Sequence, residues 1–190
     1  NGGTVLLESG RIGDNTATSG GGLYLDDCLF NSFAGSTVDA VCPTGGSGVV
    51  CNVAASTGGG IYATNGSSVD LIGSADAPAT VAENDADEGG GLYLTGAGTS
   101  ADATGAWFVD NQGSFEGGAI YARAGASFTM DIADPDCRGS RCSLMRNNFS
   151  AIAGGVGGAI AADSGADVVV HQTTLTGNNA NVTGSVVFAE

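Results

Sequence analysis

Apolar residues in this chain come in short alternating runs rather than at helical spacing. Leu23 and Leu25 flank Tyr24, Ile61 and Ala63 flank Tyr62, Leu92 and Leu94 flank Tyr93, and Ile120 and Ala122 flank Tyr121. A period of two puts the flanking residues on one face of a strand and the tyrosine on the other. Each run follows a glycine pair. The resulting phrase recurs as GGTVLL (2–7), GGGLYL (20–25), GGGIYA (58–63), GGGLYL (89–94), GGAIYA (117–122), GGAIAA (157–162) and GSVVFA (184–189).

Between these phrases lies a second one, an apolar residue three places before asparagine: IGDN (12–15), VVCN (49–52), VAEN (81–84), FVDN (108–111), LMRN (144–147) and LTGN (175–178). A third, looser phrase reads glycine, small polar residues, then alternation: GSTVDA (35–40), GSSVDL (66–71), GTSADA (98–103), GASFTM (125–130) and GADVVV (165–170). Successive Gly-Gly phrases begin 18, 38, 31, 28, 40 and 27 residues apart. Self-similarity at such a period is the mark of a solenoid, in which each repeat stacks on the next. Three short strands and three turns fill a coil of that length. The prediction is an all-β fold, a parallel β-helix of about six coils with three short strands each, forming a single domain over residues 1–190.

Stacking turns each position of the repeat into a column of like residues about 4.8 Å apart. Asparagine tolerates the left-handed backbone region and bonds to copies above and below, so Asn15, Asn52, Asn84, Asn111, Asn147 and Asn178 predict an internal amide ladder. Core columns are predicted from Val5, Leu23, Ile61, Leu92, Ile120, Ile160 and Val187, and from Leu7, Leu25, Ala63, Leu94, Ala122, Ala162 and Ala189. The position between them holds Leu6, Tyr24, Tyr62, Tyr93, Tyr121, Ala161 and Phe188, an outward column with all four tyrosines. Two readings of this aromatic column stand: rings that stabilise neighbouring strands, or a contact strip for a glycan or another molecule.

The two longest intervals contain the close cysteine pairs, and insertions in a solenoid leave the coil as loops. Loop insertions are therefore predicted near residues 30–48 and 131–143. Disulfides Cys42–Cys51 and Cys137–Cys142 are the economical pairing, with Cys28 left over, and they point to an oxidising, extracytoplasmic compartment. The stretch DIADPDCRGSRC (131–142) sets Asp131, Asp134 and Asp136 within six residues. Such oxygens suit calcium, and aspartates equally populate ordinary turns. No other cofactor is expected. Sequons stand at Asn65, Asn148 and Asn181.

Composition narrows the partners. Twenty acidic residues face five arginines and no lysine, a formal net charge of -15, which repels nucleic acid and anionic membranes. With 34 glycines, long helices are disfavoured. No run of eighteen apolar residues suggests a membrane span. Neither a methionine nor a basic-then-apolar leader opens the chain at Asn1, as in a mature secreted product or a cut fragment.

Gly-Gly, then alanine or glycine, then isoleucine or leucine, paired with an apolar or aromatic residue three before asparagine, as in FVDN followed by GGAIYA, resembles the repeat of the chlamydial polymorphic outer-membrane protein family. The resemblance covers nearly the whole chain. It implies a right-handed parallel β-helix at a cell surface, in adhesive passengers of autotransporters. The second phrase departs from that family by usually lacking phenylalanine.

The expected function is a non-catalytic extracellular structural protein whose subunits stack head to tail into a surface fibre. Both ends carry apolar columns, and Val5 and Leu7 at one end with Val187 and Phe188 at the other are the expected joint, GSVVFAE pairing near GGTVLLE. The main alternative is an adhesin or passenger segment binding a host or glycan ligand. A polysaccharide-active enzyme is a minor third: it would need clustered carboxylates, and Asp26 and Asp27, adjacent on a strand, face opposite sides.

Overall fold

The computed structural model describes residues 2–8, 10–33, 48–74, 76–132 and 142–190. Among these residues every regular element is a strand, and every strand pairing is parallel. The first coil contains β1 (Thr4–Glu8), β2 (Arg11–Gly13), β3 (Thr16–Ser19) and β4 (Leu23–Asp26). The second contains β5 (Leu29–Phe33), β6 (Gly48–Val50), β7 (Val53–Thr57) and β8 (Ile61–Thr64), and the third β9 (Ser68–Ile72), β10 (Ala79–Ala82), β11 (Asp85–Glu88) and β12 (Leu92–Thr95). The fourth follows with β13 (Ser100–Thr104), β14 (Ala106–Val109), β15 (Gln112–Glu116) and β16 (Ile120–Arg123). The fifth has β17 (Ser127–Asp131), β18 (Leu144–Arg146), β19 (Phe149–Ser150) and β20 (Ile160–Ala162), and the sixth β21 (Asp167–Val170), β22 (Thr174–Thr176), β23 (Asn179–Ala180) and β24 (Val187–Ala189).

Every fourth strand joins the same sheet, giving four six-stranded sheets, A from β1 onward, B from β2, C from β3 and D from β4. The fold is thus a parallel β-helix of six coils, as the repeat predicts, with four strands per coil rather than three. Sheet C is the strand the hydrophobic pattern missed. Its inward column reads Ala17, Ala54, Ala86, Gly113, Ser150 and Ala180 in register, too small to produce an apolar signal.

The core is a single apolar interior. Sheet D contributes Ile61, Leu92, Ile120 and Ile160, sheet B contributes Val49, Val81, Phe108 and Met145, and sheet A contributes Phe30, Val69, Phe128 and Met130. Large and small residues alternate between walls: where sheet A narrows to Ala101 and Ala103, sheet B brings Phe108, whose ring meets Phe128 edge-on at 6.0 Å. A second, smaller cluster of Val50, Ala82, Val109 and Leu144, with Trp107 against it, lies apart from the main core.

Register corrects three expectations. The segment GGTVLL is no Gly-Gly corner, because β1 pairs with Leu29–Phe33 in sheet A. Val5 and Leu7 therefore stand in the columns of Phe30 and Ser32, away from Leu23 and Leu25, and Leu6 stands outside the tyrosine column. Residues 30–33 and 48, expected in a loop, are strand, as is Asp131 at the end of β17. GSTVDA (35–40) lies outside the described residues, as do 34–47 and 133–141 of the two expected insertions, and Leu29–Phe33 takes the sheet A place of that coil. Starts of successive sheet A strands, paired Thr4↔Leu29, Leu29↔Ser68, Ser68↔Ser100, Ser100↔Ser127 and Ser127↔Asp167, are 25, 39, 32, 27 and 40 residues apart. Most of the extra length of the long coils enters where sheet A passes to sheet B, a step that takes only Gly105 in the fourth coil, and in the fifth coil the passage from sheet C to sheet D is lengthened as well.

Candidate functional site

Between sheets B and C the asparagines form a continuous ladder. Each donates from its backbone nitrogen and from Nδ2 to Oδ1 of the asparagine in the next coil: Asn15 to Asn52, Asn52 to Asn84, Asn84 to Asn111, Asn111 to Asn148 and Asn148 to Asn178, all at 2.9–3.2 Å. The second Nδ2 proton reaches back to a carbonyl of the preceding coil, as from Asn111 to Val81 and from Asn178 to Met145. Buried amides are thereby satisfied along the axis, as burial demands. The fifth member is Asn148, not the expected Asn147. Met145, three residues before Asn148, pairs with Phe108, so the phrase in this coil is MRNN. Asn147 instead takes the left-handed position just before the ladder (φ 54), the place of Asp14, Cys51, Glu83, Asp110 and Gly177 in the other coils. Two adjacent asparagines suit both places, and only register separates them. The Asn148 sequon lies within this ladder, fully buried, whereas Asn65 and Asn181 are exposed.

The ladder is polar along the axis. Oδ1 atoms face the preceding coil and N–H groups the following one, so the first coil presents the Asn15 Oδ1 and the last the Asn178 backbone N–H, neither partnered among the described residues.

Sheet D carries the aromatic column on its outer face. Tyr24, Tyr62, Tyr93, Tyr121, Ala161 and Phe188 pair in direct register. Tyr24 and Tyr62 stack at 4.9 Å and Tyr62 and Tyr93 at 5.2 Å, nearly parallel, while Tyr121 turns edge-on to Tyr93 at 5.4 Å. Exposure falls along the column, from 56% at Tyr24 to 2% at Tyr121. The Tyr121 hydroxyl donates to Asp163 at 2.6 Å, the Arg123 guanidinium lies 5.6 Å from the Tyr121 ring centre, and Arg123 Nε stands 3.8 Å from the Asp163 carboxylate. Burial, and after it the hydrogen bond to Asp163, raises the Tyr121 phenol well above its ordinary pKa, and burial raises those of Tyr93 and Tyr62. Beside this column, at the end of sheet C, Glu88 and Glu116 are register partners. Burial first, then the neighbouring Glu116, pushes the Glu88 carboxyl upward. Burial and a neighbouring aspartate do the same to Asp70, beside Asp102, and to Asp85, beside Asp87.

The Gly-Gly corner joins sheets C and D. Its first glycine is left-handed in six coils, φ between 60° and 64° at Gly20, Gly58, Gly89, Gly117, Gly157 and Gly184. Its second glycine lies hard against the coil that follows: a Cβ on Gly90 would stand 2.6 Å from the Gly118 carbonyl oxygen. Conformation and close approach both exclude side chains, and this explains the repeated pair.

Asp131 accepts at Oδ1 from its neighbour's backbone N–H at Ile132, while Asp134 and Asp136 lie outside the described residues. Cys42 and Cys137, one member of each expected disulfide, also lie outside them, and Cys28 is a free thiol. Asp26 accepts from Asn65 Nδ2 at 2.8 Å, and Asp27 occupies a left-handed turn. Val5 and Leu7 stand on sheet A of the first coil and Val187 and Phe188 on sheet D of the last, so the expected joint spans two different sheets. In a coaxial stack the strand in line with β24 is β4, not β1. Comparison of the chain with protein-family models, with curated proteins and with solved structures returns no match.

Proposed function

We propose that the protein is a non-catalytic extracellular structural protein, a solenoid subunit that adds head to tail to further copies through its two end coils. The observation that carries this reading is the polarity of the asparagine ladder. An acceptor, Asn15 Oδ1, waits at one end and a donor, the Asn178 N–H, at the other. Donor meets acceptor when copies stack in the same direction and acceptor meets acceptor when they stack face to face, which favours a heterologous, non-closing contact. Both end coils also leave apolar side chains uncovered, Val5 and Leu6 at one end and Val187 at the other, where strand addition would bury them. The likeness of the paired phrases to a surface-protein repeat supports the location; disulfides Cys42–Cys51 and Cys137–Cys142 would add to it, and intact mass before and after reduction checks for them. Sedimentation velocity over a concentration series, with electron microscopy of the same samples, tests the reading. Fibres that lengthen with concentration and are lost in Val187→Asp are expected; a monodisperse monomer at high concentration overturns it.

A second reading, an adhesive binding module, is favoured by the exposed end of the aromatic column. Tyr24 and Tyr62 present stacked, solvent-facing rings beside the Asp26 carboxylate. A glycan array on which saturable binding disappears with Tyr24→Ala would support it, and an empty array would reject it.

A further inference from the structure

The second glycine of each Gly-Gly phrase points at the coil that follows. A Cβ on Gly21 or Gly59 would run into the carbonyl of Gly59 or Gly90, and one on Gly118 or Gly158 into that of Gly158 or Ser185. Contacts this short do not occur for real Cβ atoms without movement of the backbone they meet. In the last coil the same position holds Ser185, exposed, in backbone register with Gly158, so its Cβ takes the direction that at Gly158 meets the following corner. Elsewhere across that face the columns continue: in the register that repeats the interior stacking, Asn178 meets Asn15 of a second copy, Leu175 meets Ile12 and Phe188 meets Tyr24.

Resting on the head-to-tail reading above, we infer that Ser185 is a steric brake on addition of a second copy of this chain. The copy adds in register along the ladder and the tyrosine column, with its Leu23–Asp26 strand beside Val187–Ala189, and Ser185 holds the Gly-Gly corner out of the close approach made in every interior coil. The joint between copies is therefore looser than any joint within one. The column of glycines permits close stacking of coils, and the hydroxymethyl group of Ser185 opposes it at the joint with a second copy.

Replacing Ser185 by glycine separates this inference from the reading beneath it. Sedimentation velocity of the full chain, wild type against Ser185→Gly, should show association beginning at least about tenfold lower in concentration for the variant, a change of about 1.4 kcal/mol per joint. The dilute Ser185→Gly monomer should melt no higher than wild type, because glycine adds unfolded-state freedom, so a general gain in stability does not explain tighter association. Adding Val187→Asp to Ser185→Gly should return monomers. Equal association of wild type and Ser185→Gly, lost in Val187→Asp, overturns the brake and leaves the head-to-tail reading standing. A wild type that stays monomeric while Ser185→Gly associates supports the brake, as a complete stop, and retires the wild-type fibre. Monomers throughout overturn both.

Discussion

Tyr121 in the fourth coil and Tyr24 in the first share one column and one phrase, yet Tyr121 is almost wholly buried and Tyr24 more than half exposed. Asn111 and Asn15 differ in the same way: Asn111 is fully buried, gives its amide protons to Asn148 and Val81 and accepts two at its side-chain oxygen from Asn84, whereas the Asn15 side chain only donates. Ile120 and Val187 repeat the contrast, one sealed in the core and the other 45% exposed. A residue's energetic weight in this fold thus depends on having a coil on both sides. Stability in solenoids is carried by nearest-neighbour interfaces, so identical residue types contribute unequally along the axis.

The largest test of this contrast is Asn111→Ala against Asn15→Ala. The first removes the acceptor of two Asn84 donors and the donor to the buried Val81 carbonyl, while Asn148 Oδ1 keeps the backbone N–H of residue 111; at 1–3 kcal/mol for each unsatisfied buried group, a loss of about 4 kcal/mol in urea unfolding is expected. Asn15→Ala removes only the Nδ2 donor to Asn52 at the open end, the backbone N–H remaining, and should cost less than about 1 kcal/mol. Equal losses would break the comparison.

Next is Gly118→Ala. Its Cβ would collide with the Gly158 carbonyl and with the Phe149 backbone, and overpacking of this kind costs about 3 kcal/mol. Ser185→Ala keeps the Cβ already present at the end coil and should leave the denaturant midpoint unchanged. A smaller step is Tyr121→Phe, which deletes the hydroxyl bound to Asp163 and should cost about 1 kcal/mol, while Tyr24→Phe at the exposed end should be silent in thermal melts.

The smallest effect concerns pH. Glu88, Asp70 and Asp85 have folded pKa values raised above their ordinary ones, chiefly by burial, so the folded chain holds these protons more tightly than the unfolded chain. Their protonation stabilises the fold below the ordinary carboxylate range, and that contribution is lost as pH rises through it to the raised values. The melting temperature should therefore decline as pH rises from about 4 through and above the ordinary carboxylate range, less steeply in Glu88→Gln. A melting temperature that instead climbs over this interval would show that these carboxylates are better solvated than their burial implies.

Much of the architecture is legible in the sequence because stacking imposes strict column chemistry. Only glycine suits the left-handed corner at Gly117 and the close approach at Gly118, so the corner repeats visibly. The ladder needs a side chain that both donates and accepts, so asparagine recurs, and alternation marks sheets A and D wherever the inward residues are large. These are local requirements met identically in each coil, and local requirements leave residue-level traces.

Only the tertiary structure decided the rest, because register between coils is a choice among nearly equivalent pairings. Sheet C stayed hidden since its interior positions are alanine, glycine and serine, which carry no periodic apolar signal. Asn147 and Asn148 are both suited to the ladder and to the left-handed position before it, and the pairing of Met145 with Phe108 chose between them. GGTVLL has the wording of a corner and lies in sheet A because Val5 pairs with Phe30. Sequence determined which residue types a column accepts, while contact between coils determined which column each residue joins, and with it whether a tyrosine, an asparagine or a valine is buried.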